Sequence, residues 1–97
     1  MLVSLHPKIP SDVREIMRHY RRVAGPTLAD EFYRELRQLI VRAAEQPGLF
    51  AKREHGLHRV NLPRFPYHFL FRVADGALRV LVVRHHRKRP SFGTCRL

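Results

Sequence analysis

Ninety-seven residues with 44% hydrophobic content suffice for a single domain spanning residues 1–97 that folds without staples, and they leave no room for two. Nineteen Lys and Arg against eight Asp and Glu give a formal net charge of +11, and the excess is regional: eight basic against six acidic residues up to Gly48, eleven against two beyond it. The lone Cys95 excludes an intramolecular disulfide framework, no apolar run approaches the ~20 residues that cross a bilayer, and no His-x-His or Glu-x-x-His pattern organises the seven histidines into a metal site.

The expectation is therefore a soluble, cytoplasmic chain with no membrane association, no metal and no cofactor. Its charge asymmetry predicts an anionic partner, nucleic acid first and an acidic protein second.

In chain order, Leu2, Val3 and Leu5 form a short apolar strand that stops at His6-Pro7. From Ser11, read as an N-cap and followed by Asp12, apolar residues recur at Val13, Ile16, Met17, Tyr20 and Val23, the spacing of one helix face, until Gly25. Pro26 then opens a second helix with the stripe Leu28, Ala29, Phe32, Leu36, Leu39, Ile40 and Ala43, which closes at Gln46-Pro47-Gly48.

Past a polar connector around Lys52 to Gly56 the period changes from 3.6 to 2, and three strands are predicted, at Leu57 to Leu62, Tyr67 to Val73 and Ala77 to Val83. Asp75-Gly76 supplies the tight turn of a hairpin between the last two. The order β-α-α-β-β-β gives an α+β fold in which a helical hairpin packs on one face of a small, mainly antiparallel sheet. Alternation puts Tyr67, Phe69, Phe71 and Val73 in the core and leaves His68 and Arg72 on the opposite, open side, with Arg59 and Asn61 beside them if the helices cover Val60 and Leu62. At the edge of that side runs Arg84-His85-His86-Arg87-Lys88-Arg89-Pro90. Within it Arg84, His86, Arg87, Lys88 and Arg89 are the candidate target-binding residues.

These residues resemble the RelE/ParE superfamily of toxins from type II toxin–antitoxin systems over nearly the full chain. The resemblance rests on the opening strand with His6-Pro7 and Asp12, the hairpin with Leu28-Ala29 and Phe32, the block Arg64 to Val73, and the final strand running into His85-His86-Arg87-Lys88-Arg89-Pro90, which looks like the family's His-x-x-Arg-x-Pro or His-x-x-Arg-Pro ending, with Arg96 in the tail. Gly93 stands near a position where many members carry a bulky aromatic. The resemblance implies a growth-inhibiting toxin restrained by a cognate antitoxin in a hetero-oligomer. Its target is either DNA gyrase, as for the ParE side, or messenger RNA on the ribosome, as for the RelE side. The ribonuclease reading makes Arg59, His68, His86 and Arg87 the catalytic candidates: Arg59 to hold phosphate, His68 or His86 to move protons, Arg87 to neutralise developing charge. Asn61 and Phe92 depart from that set, and the gyrase reading, which needs no nuclease constellation, is favoured. A non-toxic basic nucleic-acid-binding module is the remaining alternative.

Overall fold

The computed structural model describes residues 1–96; Leu97, the last residue of the predicted domain, lies outside the described residues. The apolar opening forms strand β1 (Leu2–Leu5), and a turn at Pro7 and Lys8 leads into helix α1 (Ile9–Ala24). The helix begins before the predicted Ser11 cap. Pro10 sits in the first turn, where a missing N–H breaks no helical bond, and Lys8 is the N-cap residue without a side-chain cap. Gly25 adopts φ 89°, a backbone that strains other residues, and so joins α1 directly to helix α2 (Pro26–Glu45).

A single turn of 3-10 helix at Pro47–Leu49 ends the helical half. Strands β2 (Lys52–Glu54), β3 (Leu57–Asn61), β4 (Tyr67–Ala74) and β5 (Ala77–His85) then complete a sheet in the order β1-β5-β4-β3-β2. Every neighbouring pair is antiparallel except β1 with β5. Strand β2 replaces part of the predicted polar connector. It is a short edge strand with an irregular register, held by backbone pairing and therefore without the apolar alternation that would mark it in the sequence. The β4–β5 turn uses Asp75 at φ 52° and Gly76 at φ 74°, the left-handed pair that suits a two-residue hairpin.

Both helices pack on one face, over a core built around Phe32, Phe69 and Phe71, all fully buried. Tyr20, Phe32, Phe65 and Tyr67 meet there largely edge to face, with centroids 5.3–6.1 Å apart. Val73, predicted to share this face, is 41% exposed at the far end of the strand.

Strand β5 carries a bulge: Leu70 faces Val82 and Phe71 faces Val80, so Leu81 has no partner. Leu78 and Val80 before the bulge, and Val83 after it, join the helix-side core, whereas Leu81 and Val82 join Leu57 and Leu70 in a second cluster on the opposite face. That face was predicted to be open. Its centre is closed instead, and part of the cover is the chain's own tail: Gly93 lies so tightly on Val82 that a Cβ built at Gly93 would stand 2.6 Å from Val82 Cβ.

Candidate functional site

The bulge decides where the basic run points. Strict alternation from Leu78 and Val80 would turn Arg84 toward the helices; the extra residue turns it to the opposite face, across from His68. Arg84 is 3% exposed and its guanidinium is committed inward: Nε donates to His68 Nε2 at 2.9 Å, and Nη1 donates to the carbonyls of Pro90 and Phe92, both at 2.8 Å. The sequence reading placed Arg84 among the target-binding residues, but its side chain fastens the tail to the end of β5 instead of facing solvent. A buried guanidinium is tolerable only because neutral acceptors converge on it.

Arg59, Asn61, His68 and His86 are brought together. In the register of β3 against β4, Arg59 lies opposite Leu70 and Asn61 opposite His68, which places these side chains on the same face as predicted. Arg59 Nε donates to Asn61 Oδ1 at 2.9 Å, and Arg59 Nη2 lies 3.4 Å from His86 Nδ1. His68 and His86 stack, with centroids 5.1 Å apart and planes 12° from parallel, and their Nδ1 atoms are 2.8 Å apart. Arg84 Nε can only donate, so His68 Nε2 accepts; the neutral His68 ring then carries its proton on Nδ1 and donates to His86, whose own proton stands on Nε2. Arg72 lies further along β4, opposite Arg79 and away from this cluster.

His86 is held below its ordinary pKa of 6.5, first by burial of the ring, then by the Arg59 charge and the neighbouring His85. The fold therefore favours neutral His86. Its full contribution to stability is present above about pH 6.5 and is lost as pH falls toward the depressed folded value, because the unfolded chain takes up the proton first. Melting temperatures of the wild type and His86→Asn at pH 7.5 and pH 5 test this: the wild type should lose more on acidification. An equal loss in both would remove His86 as a source of acid sensitivity.

The exposed part of the run is His86 to Arg89, and it is shaped from both ends. His86 N–H donates to the carbonyl of Pro66 at 3.0 Å, while His85 organises the turn by accepting Arg87 N–H on Nδ1 and Lys88 N–H on its carbonyl, each at 3.0 Å. Lys88 Nζ lies over the Phe92 ring at 5.0 Å. Among the described residues no carboxylate pairs with Arg87, Lys88 or Arg89.

Beyond Phe92, Arg96 donates to both carboxylate oxygens of Asp12, at 2.7 and 3.2 Å, and to the carbonyl of Leu81. Asp12 also accepts Val83 N–H at 3.1 Å. Strand β1 pairs with β5 only as far as Val80, so Asp12 and Arg96 satisfy backbone groups of β5 that have lost their strand neighbour. Asp12 and Arg96 were visible only as parts of a resemblance; nothing in their spacing marks them as partners 84 residues apart.

No group of three or more His, Cys, Asp or Glu among the described residues could hold a metal ion, and no described helix is long and apolar enough to cross a membrane. A family model described as ParE toxin of type II toxin-antitoxin system, parDE, matches residues 3–90. Among solved structures the chain is similar to one titled "Chromosomal ParDE TA system from P. aeruginosa". The TM-score is 0.78 at 22% identity, over 88% of this chain and 95% of that one, a likeness of fold. No curated protein matches the sequence.

Proposed function

The chain belongs to the ParE toxin family of type II toxin–antitoxin systems, and on that premise we propose that it inhibits DNA gyrase by protein contact, through the exposed loop His86 to Arg89. The chain is a toxin, and its partner is an antitoxin. The cytoplasm, where gyrase works, is the compartment this reading requires.

One observation carries the choice of target. Of the two histidines that RNA cleavage could use to move protons, His86 is exposed, but His68, the one on the strand, is 1% exposed, with Nε2 engaged by Arg84 and Nδ1 by His86. A general acid or base must reach the proton it transfers, and this ring is closed off on both nitrogens. Arg87, Lys88 and Arg89 are exposed and pair with no carboxylate among the described residues, which suits contact with an acidic protein surface.

A paired reaction tests the target. Purified chain is added to a gyrase supercoiling reaction and to a translating ribosome system, and DNA topology and mRNA ends are read. The expected outcome is blocked supercoiling with mRNA left intact; new mRNA ends with normal supercoiling would transfer the chain to the ribonuclease reading.

A further inference from the structure

Five arginines among the described residues are buried or half-buried, and four of them are met by acceptors. Arg84 has His68 and two carbonyls, Arg96 has Asp12, Arg59 has Asn61, and Arg79 donates from Nη1 to Ser4 Oγ at 2.8 Å. Arg72 is the exception. It makes no hydrogen bond or ion pair among the described residues, and its Nε is buried without an acceptor. A donor buried in this state costs the fold free energy and calls for a reason.

The residues beside Arg72 add to that cost. Arg72 on β4 lies directly opposite Arg79 on β5, and Arg79 lies opposite Ser4 on β1, so one row across three strands presents two guanidiniums and a hydroxyl. Neighbouring strands are about 4.8 Å apart, which brings the three residues within roughly 10 Å of one another. Like charges directly opposite on a sheet are destabilising, and among the described residues no carboxylate pairs with either arginine. The row lies on the second face of the sheet, near the Asp75-Gly76 turn and away from the basic loop.

We propose that this row is a binding site for a phosphoryl oxyanion, held by the guanidiniums of Arg72 and Arg79 and by the Ser4 hydroxyl. Arg72 is half-buried, so a turn about its outer torsions brings the Nε edge to the surface, where a guanidinium meets two phosphate oxygens side by side. The anion offsets the opposed charges and supplies the acceptor that Nε lacks. The two oxygens of a carboxylate share one plane, whereas the tetrahedral oxygens of a phosphoryl group can meet donors arriving from three strands. Two sources carry this chemistry, the backbone of a nucleic acid and free inorganic phosphate. The site is separate from the loop His86 to Arg89 and does not depend on gyrase being the target.

Two measurements on the full chain test the site. In the first, melting temperature is followed against inorganic phosphate at constant ionic strength. The wild type should gain about 4 °C or more once phosphate stands severalfold above its Kd. Arg72→Leu should gain nothing, while Arg37→Gln, at an exposed arginine on α2, should gain as much as the wild type. Without phosphate, Arg72→Leu should melt about 2 °C or more above the wild type, because the opposed charge and the orphaned donor are gone.

In the second, binding of a fluorescent DNA duplex is followed by anisotropy over a range of salt concentrations. A backbone phosphate in the row makes the plot of log K against log salt shallower by about 0.9 in Arg72→Leu. An unchanged slope beside a lost phosphate response assigns the row to free phosphate. Should Arg72→Leu fail to fold, Arg79→Gln takes its place, with the same losses of phosphate response and salt slope expected. Folded variants that keep both the phosphate response and the salt slope of the wild type would overturn the proposal. So would a wild-type chain whose melting temperature ignores phosphate and whose salt slope Arg72→Leu leaves unchanged.

Discussion

Expression of Arg87→Ala/Arg89→Ala should produce no growth arrest, while the purified double variant melts within about 2 °C of the wild type. Both side chains are exposed, and neither makes an ion pair among the described residues, so substitution removes no packing and leaves no buried charge behind. Exposed substitutions of this kind change stability by roughly 0.5 kcal/mol or less. The loss falls on the target. An arginine anchor at an interface commonly contributes about 2 kcal/mol or more, so two together cost on the order of a thousandfold in affinity. Growth curves after induction, beside a thermal melt, check both halves. Full toxicity in the folded variant would move the target surface elsewhere on the molecule.

Asp12→Ala should cause a large loss of stability. The substitution strips Arg96 of a two-pronged carboxylate and Val83 of its N–H acceptor in a place where the two charged side chains are only 9% and 12% exposed. Removing one partner of a pair this buried costs about 3–5 kcal/mol, since the remaining charge has lost its compensation. For a chain of this length the melting temperature falls by on the order of 15 °C. Arg96→Met should cost less, because Asp12 then keeps Val83 N–H. The tail from Gly93 to Arg96 loses its anchor in both variants, so toxicity should fall with stability. A melt unchanged by Asp12→Ala would mean that the tail is not held through this pair.

The helical hairpin, the β4–β5 turn and the aromatic core were legible because each follows from periodicity or turn chemistry over a few residues. The grouping of Arg59, Asn61 and His68 was legible for the same reason, since one register fixes all three. Arg84 was misread because a single extra residue at Leu81 reverses the alternation that follows it, and no residue type announces a bulge. Strand β2 had no apolar pattern to find. The closure of the second face depends on contacts such as Gly93 with Val82 and Arg96 with Asp12, which become visible only when the two ends of the chain are brought together. Gly93 differs from the bulky residue common near that place for a local reason: φ is 81°, and Val82 occupies the space a Cβ would need.

Arg84 gives the basic loop its fixed form. By holding His68 on one side and the carbonyls of Pro90 and Phe92 on the other, it clamps both ends of the segment that carries His86 to Arg89. A target then meets a preformed turn of cations and loses less conformational entropy on ordering it. Hydrogen–deuterium exchange of the toxin, free and bound to gyrase, tests this most directly. New protection is expected only at the amides of residues 85–89, with no change across α2; protection on α2 with the loop unaffected, or no complex with gyrase, would contradict binding through the loop.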